Sequence, residues 1–175
     1  RQVLVVNSNR FTVLDRIRLT DPVDMSLSPN LRKLVVSNFA SSSVSVIDTN
    51  PLSPTFHQII AEARVARGPT TVSWQPDGED VFVVSPSSNS VTILGGLDFQ
   101  PRRTVAGFLN NPIDVVCTHR FTASGNNSGI YYAYILNASG AIAIYESGPD
   151  GVNGYGFNDM VGIVQGTTFR RAAKI

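Results

Sequence analysis

Three residues in equivalent settings are the first candidates for chemistry. Asp24, Thr71 and Asp114 each stand two residues after a proline, in Pro22-Val23-Asp24, Pro69-Thr70-Thr71 and Pro112-Ile113-Asp114. Two carboxylates and a hydroxyl brought to one mouth would bind a cation or a polar ligand. The plainer use of such a carboxylate is to accept backbone N–H bonds within a turn. Thr71 interrupts the set, so a ring of carboxylates would be incomplete. A second oxygen-rich stretch is Asp150-Gly151-Val152-Asn153-Gly154 with Asn158-Asp159. Asp150, Asn153 and Asp159 offer the hard oxygen donors that Ca2+ takes. The stretch departs from the EF-hand loop, because Val152 stands where an oxygen ligand belongs and no Glu closes it. A solvated glycine loop is the competing reading, and no other cofactor is expected.

Other chemistry has weaker support. His57 and His119 are the only imidazoles, and neither has a His or Cys at ligand spacing, which disfavours a nitrogen-rich metal site. Cys117 is the single cysteine and sits in an apolar run, so it reads as a small buried thiol without an internal disulfide partner. Gly154-Tyr155-Gly156 lacks the strand–helix context of a dinucleotide fingerprint. No Gly-x-Ser-x-Gly elbow is present, and Ser139 and Ser147 have no nearby base in sequence. Asn126-Asn127-Ser128 and Asn137-Ala138-Ser139 fit the N-glycosylation acceptor pattern, which matters only where the source glycosylates secreted proteins.

Composition narrows the classes further. The formal net charge is +1, so no strong field steers nucleic acid or an anionic membrane to the surface. Arg102-Arg103 and Arg170-Arg171 are separate pairs without a binding motif. No apolar run approaches the roughly 20 residues of a membrane-spanning helix. The chain opens at Arg1 without a signal-peptide pattern, which reads as a processed or cut piece, or a domain of something longer.

The elements that must position these residues follow from a repeat. The stretch PVDMSLSPNLRKLVVSNFASSSVSVID, residues 22–48, recurs without a gap as PTTVSWQPDGEDVFVVSPSSNSVTILG, residues 69–95. Met25 matches Val72, Leu27 matches Trp74, Val36 matches Val83 and Val46 matches Ile93. A third copy opens at Pro112. A period of about 40 to 50 residues, each unit holding several short apolar strands, is the sequence signature of propeller blades. The expected fold is all-β: a β-propeller of four-stranded antiparallel blades, with about four blades' worth of strands.

The blades are expected at residues 1–20 (partial), 21–67, 68–110 and 111–165, with 166–175 starting the next blade or closing the first. In the partial blade, residues 3–7 and 10–15 read as strands and residues 16–19 as a separate outer strand. Within the full blades, residues 23–27 and 70–74 are innermost strands, and Trp74 packs between neighbours. Gln75-Pro76-Asp77-Gly78 is the sharpest turn signal. Two insertions, residues 121–128 and 147–159, interrupt the third full blade. Sixteen strands result, with Gly166-Thr167-Thr168-Phe169 opening the last. They suit a fragment of a larger propeller or a ring of four blades closed by its termini.

The combination of Ser28-Pro29-Asn30 and Gln75-Pro76-Asp77-Gly78 turns, Val36-Ser37-Asn38, and Val44-Ser45-Val46-Ile47-Asp48 resembles the YVTN β-propeller repeat of surface-layer-type proteins. The match covers residues 22–48 and 69–94 well, and residues 3–15 and 112–146 in part. Gly95 departs from the terminal Asp of the pattern, and the third full blade lacks the proline turn. The resemblance implies a secreted, periplasmic or cell-surface location. The expected role is a non-catalytic, WD40-like module for protein binding or scaffolding, with loops as the recognition surface and a protein partner or larger assembly implied. The alternative is part of a propeller enzyme, a lactonase-like hydrolase or periplasmic dehydrogenase subunit, with its site around Asp24, Thr71 and Asp114.

Overall fold

Runs of β-branched residues set the strands, and prolines and left-handed turn residues separate them. The computed structural model describes residues 1–121, 129–147 and 158–165. These hold fourteen strands and one 3-10 turn, with no α-helix among the described residues. β1 (Gln2–Asn7) and β2 (Thr12–Arg18) form a hairpin. β3 (Pro22–Leu27), β4 (Lys33–Asn38), β5 (Ser43–Asp48) and β6 (Ile59–Arg64) form one antiparallel sheet in chain order. β7 (Thr71–Trp74), β8 (Asp80–Ser85), β9 (Ser90–Gly95) and β10 (Pro101–Val105) form the next. β11 (Pro112–Cys117), β12 (Tyr132–Asn137), β13 (Ile142–Glu146) and β14 (Asp159–Val164) form the last.

The sheets stand as successive blades of a propeller arc. β3 and β7 head separate sheets and touch each other, as β7 and β11 do, so equivalent inner strands of adjacent sheets lie side by side. Between them the sheets pack face to face. Val35, Val44 and Val46 of one sheet meet Val72, Trp74 and Val83 of the next. Phe82, Val91 and Ile93 in turn meet Val115 and Ala133 of the last sheet and Tyr131 just before β12. The middle strands are covered on both sides, which is why β8 holds the continuous apolar run 81–84 and every residue of β9 is buried.

The hairpin corrects one expectation. Residues 16–19 do not start a separate outer strand, because Arg16 to Arg18 continue β2 and pair with Leu4 to Gln2. No turn residue separates Asp15 from Arg16, and a bulge opposite Val5 and Val6 absorbs the irregularity that looked like a strand boundary. The closing strand expected at Gly166-Thr167-Thr168-Phe169 and most of both insertions lie outside the described residues.

A bulge also follows the proline of β3 and of β11. Pro22 pairs with Asn38 and Asp24 with Ser37, leaving Val23 as the extra residue, and Ile113 is its counterpart between Pro112 and Asp114. The bulge re-aims the residue after it.

Phe82 is fully buried and meets Tyr145 and Tyr131 edge-on, with ring centroids 5.5 and 6.1 Å away. Phe82→Ala should cost about 3–5 kcal/mol of stability. Urea denaturation should show this as a lower midpoint with the slope nearly unchanged.

Candidate functional site

Asp24, Thr71 and Asp114 sit in a row on successive inner strands. Asp24 Oδ2 accepts the Val72 N–H at 3.0 Å, across the junction between sheets. Thr71 Oγ1 donates to the Ile113 carbonyl at 3.0 Å, across the next junction. Asp114 is buried, and its Oδ1 accepts the Val115 N–H at 3.0 Å. Ser26 extends the row: its hydroxyl oxygen accepts the Trp74 N–H at 3.2 Å, and its carbonyl accepts the Trp74 indole N–H at 3.1 Å. In this structure Asp24 and Thr71 point at the neighbouring strand's backbone and stitch inner strand to inner strand.

The other singled-out residues are scattered. Asp150 and Asn153 lie outside the described residues, as does the Asn126-Asn127-Ser128 tripeptide. Asp159 accepts from Arg103 at 2.8 Å and from the Met160 N–H at 2.8 Å. No group of three or more His, Cys, Asp or Glu among the described residues is placed to hold a metal. Asn137 is buried; its side chain accepts the Asn110 N–H at 2.7 Å and donates to the Phe108 carbonyl at 3.2 Å, so it is tied up as a loop clamp. His57 stacks on Phe56 with centroids 3.7 Å apart and meets Asp15 at 3.0 Å. Cys117 is buried, and burial pushes its thiol pKa up.

The densest polar arrangement lies elsewhere. A cleft of about 660 Å³ opens at one rim, where the β7–β10 and β11–β14 sheets meet. Its lining includes Asp77, Glu79, Asp80, Arg102, Arg103 and Tyr145. The tight Gln75–Gly78 turn forms one wall, closed by the Gly78 N–H to the Gln75 carbonyl at 2.8 Å with Gly78 at φ +80°. The Gln75 side chain is fully buried beneath it. Its amide donates to Asp77 at 2.9 Å and to the Thr118 carbonyl at 3.2 Å, while its oxygen accepts the Asp77 N–H at 2.9 Å. Asp77 is thereby aimed across the junction, where it accepts from the His119 ring at 2.8 Å and from the Arg120 N–H at 2.7 Å. Glu79 pairs with Arg120 beside it.

Deeper in, the Tyr131 hydroxyl donates to Asp80. Burial pushes both groups up, Asp80 above the usual carboxylate range and Tyr131 above the usual phenol range. The far wall is the β9–β10 loop. A side chain at Gly96 would place its Cβ 2.1 Å from the Gly78 carbonyl oxygen, so only glycine lets the loop cross the turn. A Cβ at Gly95, which stands where the repeat pattern has Asp, would meet the mobile ends of the Asp98 and Arg102 side chains at 2.5 and 2.6 Å. Arg102 pairs with Asp98 at 3.0 Å and Arg103 with Asp159 at 2.8 Å. The cleft thus gathers carboxylates and guanidiniums that are each held by a hydrogen bond or an ion pair.

The cleft had a signal that single-residue inspection passes over. Gln75 and Thr118, Asp77 and His119, and Glu79 and Arg120 are 43, 42 and 41 residues apart. That separation matches the repeat spacing, which brings the turn of one blade against the inner strand's end in the next.

Hydrogen bonds from His119, Arg120 and Gln75 hold the Asp77 carboxyl down at about 2, against an ordinary value of 3.8. A lowered folded value means Asp77 supports the fold above its unfolded pKa and loses that support as pH falls from 3.8 towards about 2. Asp77→Asn should flatten the stability curve across that window, read by urea denaturation at stepped pH. Asp24→Ala should cost about 1–3 kcal/mol by leaving the Val72 N–H unmet, read as a drop in Tm.

No family model matches the sequence, and no curated protein is significantly similar to it. Solved structures are similar in fold. Hydrazine synthase from Kuenenia stuttgartiensis superposes with a TM-score of 0.64 at 18% identity, covering 93% of this chain and 42% of that one. The RRP9 WD40 repeats superpose at 0.65 with 10% identity, covering 90% and 42%. A functionally unknown protein from Desulfotomaculum acetoxidans superposes at 0.66 with 16% identity, covering 94% and 48%. The chain thus spans less than half the length of each of these proteins. With its three four-stranded sheets and one hairpin, it is a partial β-propeller of about four blades.

Proposed function

We propose that this chain is a non-catalytic, extracytoplasmic propeller module of the YVTN-repeat type that binds a protein partner at one rim. The observation that carries the reading is the rim cleft, where Asp77, Glu79, Arg102 and Arg103 are each fixed by a hydrogen bond or ion pair. Charged groups fixed beforehand favour recognition, since little side-chain freedom is lost on binding. The blades beneath are rigid sheets, and rigid scaffolds carrying loops are a common way to build such a surface. Likeness to WD40 repeats is consistent with this use. The low net charge favours a protein partner over nucleic acid. The sequence motifs shared with surface-layer-type repeats support a secreted, periplasmic or cell-surface location. Recognition by this cleft needs no cofactor.

The test uses the full chain as bait against the secreted and envelope fractions of its source. A partner retained by the wild type should bind at least about tenfold more weakly to the Arg102→Glu/Arg103→Glu variant, the scale of an interface hot spot. Treatment with EDTA should leave binding unchanged; a loss would restore Ca2+ at Asp150, Asn153 and Asp159. A screen for lactone hydrolysis and dye-linked oxidation is the counter-test. Turnover that disappears in Asp24→Ala and Asp114→Ala would replace the module by the enzyme.

A further inference from the structure

We infer that the rim cleft, taken as the partner-binding site proposed above, receives an extended acidic segment of that partner, whose carboxylates pair with Arg102 and Arg103. Three equivalent bulges carry the first part of the case. In the β3–β6 sheet Val46 pairs with Ala61 and Ile47 with Ile59, which leaves Ile60 as the extra residue. In the last sheet Ile144 pairs with Gly162 and Tyr145 with Met160, which leaves Val161. In the sheet between them Ile93 pairs with Arg103 and Leu94 with Pro101, which leaves Arg102. The same bulge is thus built from Ile60-Ala61 and from Val161-Gly162 in the neighbouring sheets. It has no need of guanidiniums, and of these three outer strands only β10, which borders the cleft, carries them.

The two arginines also differ from their counterparts in what they cover. Ala61 packs against the cluster that fills the junction to the next sheet. Arg103, in the matching place, reaches across to Asp159 of the last sheet, and the cleft lies open beside it. Consecutive strand residues ordinarily point to opposite faces. Arg102 and Arg103 both line the cleft, because the bulge between them re-aims one of the pair.

The cleft's acceptors are engaged and its donors are not. Asp77 takes bonds from Gln75, the His119 ring and the Arg120 N–H. Glu79 pairs with Arg120, and Asp80 takes the Tyr131 hydroxyl. Among the described residues Arg102 gives one N–H to Asp98 and Arg103 one to Asp159, where a guanidinium has five to give. Their side chains are 56% and 42% exposed. What remains for a ligand is a pair of donor forks, which match a carboxylate. Phosphate shares that match, but Asp77, Glu79, Asp98 and Asp159 stand close by. A dianion would meet about twice the repulsion that a carboxylate meets. A volume of about 660 Å³ admits a few side chains and not a domain, so the occupant is an extended segment. Leu97 on the lip, 86% exposed, offers it an apolar contact.

Phage-displayed random peptides selected on the immobilised full chain should be enriched in Asp and Glu beside large apolar residues. A selected peptide, synthesised with both ends capped so that only side-chain carboxylates remain, should bind at least about tenfold more tightly than its Asn/Gln counterpart, the scale of a lost charge-assisted pair. Arg102→Gln/Arg103→Gln changes exposed positions, so it should keep its far-UV circular dichroism and weaken the acidic peptide to a similar degree. Inorganic phosphate should displace the peptide no better than chloride at equal ionic strength. A selection that yields no binder or no acidic enrichment, an amide peptide that binds as well as the acid, or ready displacement by phosphate would overturn the inference. A partner that loses hold of the Arg102→Glu/Arg103→Glu variant yet meets the cleft without carboxylates would end this inference alone and leave the rim-binding module standing.

Discussion

Contact between consecutive inner strands is the constraint on which the rest of the molecule depends. At the β3–β7 junction, side-chain and backbone acceptors on one strand meet N–H groups of the next, while Val72 and Trp74 pack beneath them. The polar and apolar parts need each other. An inner strand is an edge strand of its own sheet, and its outward N–H groups would be buried unmet if Asp24 and Ser26 were apolar. Those acceptors gain little unless the sheet faces bring the strands close. The bulge after Pro22 reconciles the two, because it re-aims Asp24 along the edge without breaking the ladder that follows.

Much of the architecture was legible because the repeat is a packing unit as well as a pattern. Val44, Val46 and Ile47 had to be buried on one side or the other of a middle strand, and their spacing with the Ser/Pro/Asn/Gly turns located the three full sheets. Trp74 was expected between neighbours; it lies edge-on to Phe99 and donates its indole N–H to Ser26. The hairpin departs from the pattern of the repeat for a local reason. The match of residues 3–15 to middle strands implied an outer strand to follow, whereas β2 simply runs longer past a bulge.

The rim cleft was not legible by the same means. In sequence its turn, Gln75–Gly78, reads as backbone punctuation and His119 as an isolated imidazole. The interaction between Asp77 and His119 belongs to two blades and becomes visible only when residues one period apart are laid side by side. Repeat matching compares like with like, and so overlooks pairs of unlike residues that the period makes neighbours. The departure at Gly95 belongs to the same story. Where the β3–β6 sheet has Asp48, which accepts from Asn50 N–H and the Thr55 hydroxyl, the next sheet has Gly95, beside which Asp98 accepts from Arg102.

Because the main strand contacts between sheets among the described residues join each sheet to the sheets beside it, cohesion in this arc is additive along a line rather than shared by one common core. The β7–β10 sheet is gripped from both sides, while the hairpin is held through a small cluster around Val3 and Ile17. Cooperativity is therefore graded: thermal melting should begin by fraying at the hairpin and advance inwards, with the most central sheet the last to surrender its amide protons to exchange.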